Sequence, residues 1–257
     1  LIKAGHRAAV CDQVENPKEA KGLVKREVVR IVSPGTLTDE ALLDPRESNY
    51  LLAIVKDVED SRRKTGLLED CNDARIGLAW ADLSTGRFLA SVCTLGQSAD
   101  QIVRIGPAEV IIDEDAQFIP EYLADQFMLT RRPAWAFSHD GAETALARQF
   151  QTHHLEGFGF TDDDRPAIRA AGALMDYLHT TQKTSLDHFE NLLPYRVGDR
   201  LEIDEATRRS LEISRTIRDG SREGSLLSVM DKTATAMGSR LLGDWVGNPL
   251  TDCDQIE

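Results

Sequence analysis

The segment from residue 75 to residue 93 carries apolar side chains at every second position on both sides of a short turn. Before the turn, one face of the strand carries Ile76, Leu78 and Trp80. After the turn, one face carries Phe88, Ala90 and Val92. Ser-Thr-Gly at 84–86 supplies turn residues, with glycine where a positive φ is needed. This pattern predicts a β-hairpin and therefore a domain built on a sheet.

The rest of the chain divides into a mixed part and a helical part. Apolar, β-branched runs predict strands at 8–14, 27–33, 50–58, 109–113 and 127–132. Helix-forming and amphipathic patterns predict helices at 98–105, 141–150, 165–182, 203–217 and 225–246. The fold class expected is α/β with a mixed sheet, followed by an all-α region and preceded by a short β segment.

The charge distribution limits which partners the chain can have. The 257 residues carry a formal net charge of −13, which argues against a dedicated DNA-coating domain. Residues 1–36 are the exception, with seven basic against four acidic side chains. Lys25, Arg26 and Arg30 are therefore the candidates for contact with a nucleic-acid backbone, and a solvated strand face is the alternative interpretation.

Cysteine spacing and hydropathy indicate a cytoplasmic protein without a metal site. The four cysteines, Cys11, Cys71, Cys93 and Cys253, form no Cys-x-x-Cys pair and have no histidine at zinc spacing, so reduced thiols are expected. No run reaches the ~18 apolar residues that a membrane-spanning helix needs.

Four stretches, in order along nearly the whole chain, carry a family resemblance. They are VCDQVENP with KGLVKREVVRIVSPGT (10–36), ADLSTGRF (81–88), RPAIRAAGALMDYLHTTQKTSLDHF with LEIDEATRRSLEI (165–213), and GSLLSVMDKTATAMGSRLLGDWVGNPL (224–250). Together they resemble the MutS family of DNA mismatch-repair proteins. The resemblance implies the end of a mismatch-binding domain at 1–33, a linker at 34–48, an RNase H-like connector domain at 49–162, and the start of a helical core and lever domain at 163–257.

The same resemblance implies a function for the longer protein. Family members recognise mismatched double-stranded DNA as homodimers and use ATP and magnesium to recruit MutL. Neither the Phe-x-Glu wedge nor the Gly-x-x-x-x-Gly-Lys-Ser/Thr phosphate loop occurs in these 257 residues. This part is therefore expected to be a non-catalytic connector that holds no cofactor itself. Glu143, Arg148 and Gln149, on the helix predicted at 141–150, are expected on the face that binds MutL.

Two other functions compete with that interpretation. An RNase H-like fold also serves metal-dependent nucleases, which hold two ions with converging carboxylates. The candidate ligands here would be Asp57, Asp82, Glu109, Asp113 and Asp115. The second alternative is a stand-alone interaction module that binds a partner helix.

Overall fold

The computed structural model of this chain describes residues 2, 6–15, 24–39, 42–57, 73–116, 118 and 126–256. Cys71 and most of the polar connection after residue 57 lie outside these ranges. The part of the chain that is described contains no helix long and apolar enough to cross a membrane.

A mixed sheet forms the centre of the molecule. Its strands are β3 (Tyr50–Lys56), β4 (Arg75–Asp82), β5 (Arg87–Thr94), β6 (Glu109–Asp113), β7 (Met128–Arg132) and β8 (Leu193–Pro194), numbered after the N-terminal pair described below. The order is β7-β6-β3-β4-β5-β8. Strands β3, β4 and β5 are antiparallel neighbours, whereas β6, β7 and β8 join in parallel. The hairpin predicted from the alternation is confirmed, and Gly86 in its turn has a φ of +72°.

Helices cover both faces of this sheet. They are α1 (Leu95–Ile105), α2 (His139–Phe150) and α3 (Arg165–Gln182). Ile102 and Ile105 of α1 belong to one hydrophobic core, with Trp80 and the other residues of that sheet face. Helices α2 and α3 belong to a second core on the opposite face. The central strands are buried on both sides, as expected where helices flank a sheet.

Helix α3 lies unusually close to its neighbours because glycines stand at the contacts. A Cβ added to Gly77 of β4 would lie 2.0 Å from the carbonyl oxygen of Pro166 in α3. A Cβ on Gly172 of α3 would lie 2.3 Å from Cβ of Ala142 in α2. The bounds predicted for this helix are confirmed, and the helix packs against the sheet. The core of the sheet continues through α3 as far as Leu192.

Two strands precede the sheet, as predicted, and the structure shows that they form an antiparallel pair. Strand β1 (Ala8–Gln13) pairs with β2 (Arg26–Val32), with an irregularity between Val10 and Cys11. The 3-10 turn Pro34–Thr36 follows directly. Gly35 and Thr36 in this turn are buried, so the segment expected to be a linker begins inside the folded unit.

The C-terminal part contains shorter helices than predicted. They are α4 (Glu205–Ser210), α5 (Leu226–Met230), α6 (Ala236–Gly247) and α7 (Cys253–Ile256). The helix expected over 203–217 ends early because Glu212 adopts a φ of +47°, outside the helical region. Ser225 caps α5 as predicted, through a hydrogen bond from the Ser228 amide. Several large apolar side chains here are exposed: Leu226, Val229, Met230, Met237, Leu241 and Trp245.

Candidate functional site

A fully buried carboxylate lies where the N-terminal segment meets the sheet. Glu109 is the first residue of β6 and is 0% exposed. Its strand pairs with β3 so that Glu109 faces Leu51, and with β7 so that it faces Met128. A carboxylate in such a place must be hydrogen-bonded, because an unpaired buried charge costs several kcal/mol.

Donors from three separate parts of the chain surround this carboxylate. Oε2 accepts a hydrogen bond from the backbone amide of Gly35, at 3.1 Å, and another from the Ser33 hydroxyl. Oε1 accepts from the hydroxyl of Tyr177 on α3, at 2.8 Å, and from the hydroxyl of Thr130 on β7. We call these five residues the Glu109 junction. The carboxylate accepts from four donors, as a buried ion requires.

The turn that brings two of these donors has little room for variation. The Ser33 amide donates to Oγ1 of Thr36 at 2.8 Å, which closes the turn on itself. A Cβ on Gly35 would lie 2.7 Å from Cδ1 of Leu51 and 2.8 Å from Cβ of Glu109. Only glycine lets this backbone approach the carboxylate closely enough for its amide to donate.

Further bonds extend the junction toward the N-terminal pair. Arg7 donates to Oγ1 of Thr130 at 2.6 Å. At the end of α3, Nζ of Lys183 donates to the carbonyl of Val28 in β2 at 2.9 Å. Burial, together with the charge of Glu109, raises the pKa of Tyr177 to about 12, so its hydroxyl stays protonated and donates. The Tyr177 hydroxyl is thus one of the donors that hold the Glu109 junction together.

The residues predicted to contact DNA do not form one cluster. Lys25 is exposed and pairs with Glu27 at 2.6 Å, and Arg26 at the start of β2 is exposed. Arg30 donates to the carbonyl of Thr36 at 3.1 Å and to Oγ1 of Thr38 at 2.8 Å. The guanidinium of Arg30 thus holds the segment after β2, while contact with DNA stays a prediction for all three.

The residues predicted on the partner face lie on α2 but differ in accessibility. Glu143 is exposed and lies 3.4 Å from Nε2 of His139, and Arg148 is exposed. Gln149 is partly buried, and its side-chain amide donates to the carbonyls of Leu186 and Phe189 at 2.9 and 3.3 Å. Gln149 therefore stabilises the segment after α3, and only Glu143 and Arg148 present their side chains to solvent.

The carboxylates considered for a nuclease lie at two opposite ends of the sheet. Asp57 directly follows β3 and Asp113 is the last residue of β6, so both lie at the carboxyl ends of strands that run parallel. Asp82 and Glu109 lie at the other end, since β4 is antiparallel to β3 and Glu109 begins β6. Asp115 is in the exposed turn after β6. Among the described residues, no three His, Cys, Asp or Glu side chains are grouped so as to hold a metal ion.

Sequence reasoning missed the partners of Glu109. It treated Pro34-Gly35 only as a break in the chain and the glutamate at the start of the EVIID run only as a possible metal ligand. One signal could have been used: a Ser-Pro-Gly-Thr turn directly after a strand places a free amide and two hydroxyls together. Their acceptor, however, is more than seventy residues away, and no local pattern links the two.

Comparison with known families matches three stretches of the chain to three family domains. The chain matches the models of MutS domain I over residues 1–41, MutS domain II over residues 49–190 and MutS domain III over residues 206–257. The chain belongs to the MutS family. It is 51% identical to the DNA mismatch repair protein MutS of Rhodopirellula baltica, and 41% identical to the MutS proteins of Symbiobacterium thermophilum and Syntrophomonas wolfei. Each similarity covers 100% of this chain but only 28–29% of the relative's length.

The MutS assignment gives the Glu109 junction a place in the domain order. Ser33 and Gly35 fall within the domain I match, whereas Glu109, Thr130 and Tyr177 fall within the domain II match. The domain II match also includes the whole of α3, in agreement with the packing of that helix on the sheet. The junction therefore joins two MutS domains through buried hydrogen bonds.

Proposed function

We propose that this part of MutS is a non-catalytic connector that links the mismatch-binding domain mechanically to the core domain. The observation that carries the proposal is the Glu109 junction. Its buried bonds fix the turn after β2 to the sheet and to α3. The exposed bond from Lys183 to Val28 adds a second link, so a displacement of β2 is passed to α3. Rigid, hydrogen-bonded elements of this kind carry coupling between sites.

The proposal extends to the whole protein. Mismatched double-stranded DNA as ligand, a homodimer, MutL as partner, and ATP with magnesium in the full-length protein all follow from the family resemblance, and the relatives' name, DNA mismatch repair protein, supports the first. Within this chain, exposed Lys25 and Arg26 remain the candidates for a backbone contact. The RNase H-like fold of the connector and a cytoplasmic location stay predictions from the sequence.

The test of the connector role uses full-length MutS that contains this segment, with Glu109→Gln. The substitution removes the charge but keeps the shape, and it loosens the junction without deleting it. We expect mismatch affinity to be retained, while mismatch binding stimulates ATP turnover less than in the unchanged protein. Glu190→Gln, at an exposed position beyond α3, is the matched control. Unchanged stimulation in a variant with a weakened junction would contradict the connector role.

The MutL-binding face needs a separate experiment. A cysteine at Arg148 carries a cross-linker on the exposed side of α2 without disturbing the bonds of Gln149. A cysteine at Gly198 is the control, since nothing lies within 4 Å of a Cβ there and its neighbour Val197 packs on the α1 side of the sheet. We expect ATP-dependent capture of MutL from Arg148→Cys and not from Gly198→Cys. The reverse outcome places MutL on the other face.

A further inference from the structure

A cavity of about 780 Å³ opens between the sheet, α1 and the C-terminal helices. Its lining concentrates positive charge, with eight arginines against three carboxylates, in a chain whose net charge is −13. The arginines come from the segment before β3, from the domain II match and from the domain III match. The MutS domains described above thus meet around a strongly basic cavity.

Four of the lining arginines have a carboxylate partner. Arg87 pairs with Asp244, Arg215 with Glu47 and Arg222 with Asp231, each at 2.7–2.8 Å, and Arg240 lies 3.7 Å from Asp82. The other four, Arg46, Arg104, Arg208 and Arg209, have no carboxylate of the described residues within 4.0 Å. The cavity therefore holds more guanidinium groups than the chain itself neutralises.

Several contacts hold the guanidinium of Arg104 in place, but they leave one of its nitrogens without an acceptor among the described residues. Its guanidinium lies over the ring of Tyr195, at 4.2 Å, and 5.3 Å from the ring of Trp80. Its Nε donates to Gln101 and its Nη1 to Asn248, at 2.8 and 3.1 Å. Its Nη2 is buried and has no hydrogen-bond partner among the described residues. A buried cationic donor without an acceptor is costly, and an anion would remove that cost.

Arg208 of α4, in the domain III match, also has a buried nitrogen without an acceptor among the described residues. Its Nη1 donates to the carbonyl of Gly247 at 2.9 Å, while its Nε is buried and finds no partner in the part of the chain that the structure describes. Burial lowers the pKa of both guanidiniums, and the charge of Arg208 lowers that of Arg104 further. Asp244 and Asp100 offset part of this cost for Arg104 and Arg208 respectively, but neither carboxylate forms a salt bridge with them among the described residues.

We propose that this cavity binds a small phosphate anion, inorganic phosphate or pyrophosphate, between Arg104 and Arg208. The guanidinium fork matches the oxygens of a phosphate group, and a phosphate can accept from donors on several sides, whereas a single carboxylate has only two oxygens. The bound anion joins the connector to the core, because Arg104 belongs to α1 and Arg208 to α4. The proposal does not depend on the connector role argued above.

The experiment titrates the 257-residue chain by calorimetry with sodium pyrophosphate and, separately, with sodium phosphate. Sodium chloride at matched ionic strength is the reference for unspecific screening. We expect saturable binding of at least one of the two phosphate anions. Arg208→Gln should weaken that binding about tenfold or more, as expected for the loss of a charge-assisted hydrogen bond. Arg148→Gln, which removes an exposed arginine on α2, should leave it unchanged.

Two safeguards keep the result interpretable. Arg104→Gln also removes a ring contact and could disturb packing, so the decision rests on Arg208→Gln, with circular dichroism as the check that the variant is folded. The proposal would be overturned if neither phosphate anion gave more heat of binding than chloride. Equal affinity of Arg208→Gln and the unchanged chain would overturn it as well.

Discussion

Replacement of Glu109 by alanine tests the energetic importance of the junction. The change removes the acceptor of four donors in a place that water does not reach. Two of the donors have another acceptor close by: the Ser33 hydroxyl lies 2.9 Å from Oγ1 of Thr36, and the Tyr177 hydroxyl lies 3.4 Å from Oγ of Ser33. The Gly35 amide and the Thr130 hydroxyl have no such alternative among the described residues, because the guanidinium of Arg7 beside Thr130 can only donate.

The magnitude follows from the donors left without a partner. A buried donor that loses its acceptor costs about 1–3 kcal/mol, so two such donors predict a loss of about 2–6 kcal/mol in the free energy of unfolding. Glu109→Gln should cost less, about 1–2 kcal/mol, since its oxygen can still accept from the Gly35 amide. Its amide nitrogen would then face hydroxyl groups, which can rotate and accept.

Urea denaturation followed by circular dichroism measures these differences. Glu190→Ala, at an exposed position, is the control and should change stability by no more than about 0.5 kcal/mol. A loss below about 1 kcal/mol for Glu109→Ala would refute the reasoning, because it would mean that the stranded donors find other acceptors. If both variants lost the same free energy of unfolding, the negative charge of Glu109 would matter more than the presence of an oxygen that can accept hydrogen bonds.

Three further predictions use different parts of the structure. Gly77→Ala should lower the free energy of unfolding by about 1–3 kcal/mol in the same urea assay, since a Cβ there meets the backbone of α3. Hydrogen bonds, first from Ser239, lower the pKa of Asp231, so its stabilising effect is present above about pH 4 and is lost as the pH falls further. Melting temperatures of Asp231→Asn should therefore fall less steeply on acidification, and parallel curves would contradict this. Hydrogen exchange should be slow in 75–93 and faster in 226–247, where apolar side chains are exposed, and uniform protection in a monomer would count against it.

The elements with a strong local pattern could be predicted from the sequence. The hairpin β4–β5 follows from strict alternation around a glycine turn, and the bounds of α3 follow from an amphipathic stripe with Pro166 in its first turn. The partner of α3 could not be predicted, because an apolar stripe does not specify which surface covers it. Strand β8 has two residues, too few for any periodicity, and is set by its pairing with β5.

The candidate sites were harder to predict than the fold. Glu109 was recognised as a residue of interest but for a different chemistry, since the sequence cannot show that its donors come from positions 33 and 177. Gln149 was expected on the surface because glutamine is usually exposed, yet backbone carbonyls after α3 bind its amide. The arginines around the cavity are scattered along the chain and come together only in the folded protein.

The burial of the Ser33–Thr36 turn bears on how MutS domains can be exchanged between species. A chimera cut at the start of the domain II match, residue 49, would take the turn from one parent and its acceptor Glu109 from the other. A turn of different sequence would then deprive the carboxylate of up to two of its four donors, even though each domain was intact in its own parent. Placing the crossover upstream of Ser33, within β2, moves the turn and the carboxylate together.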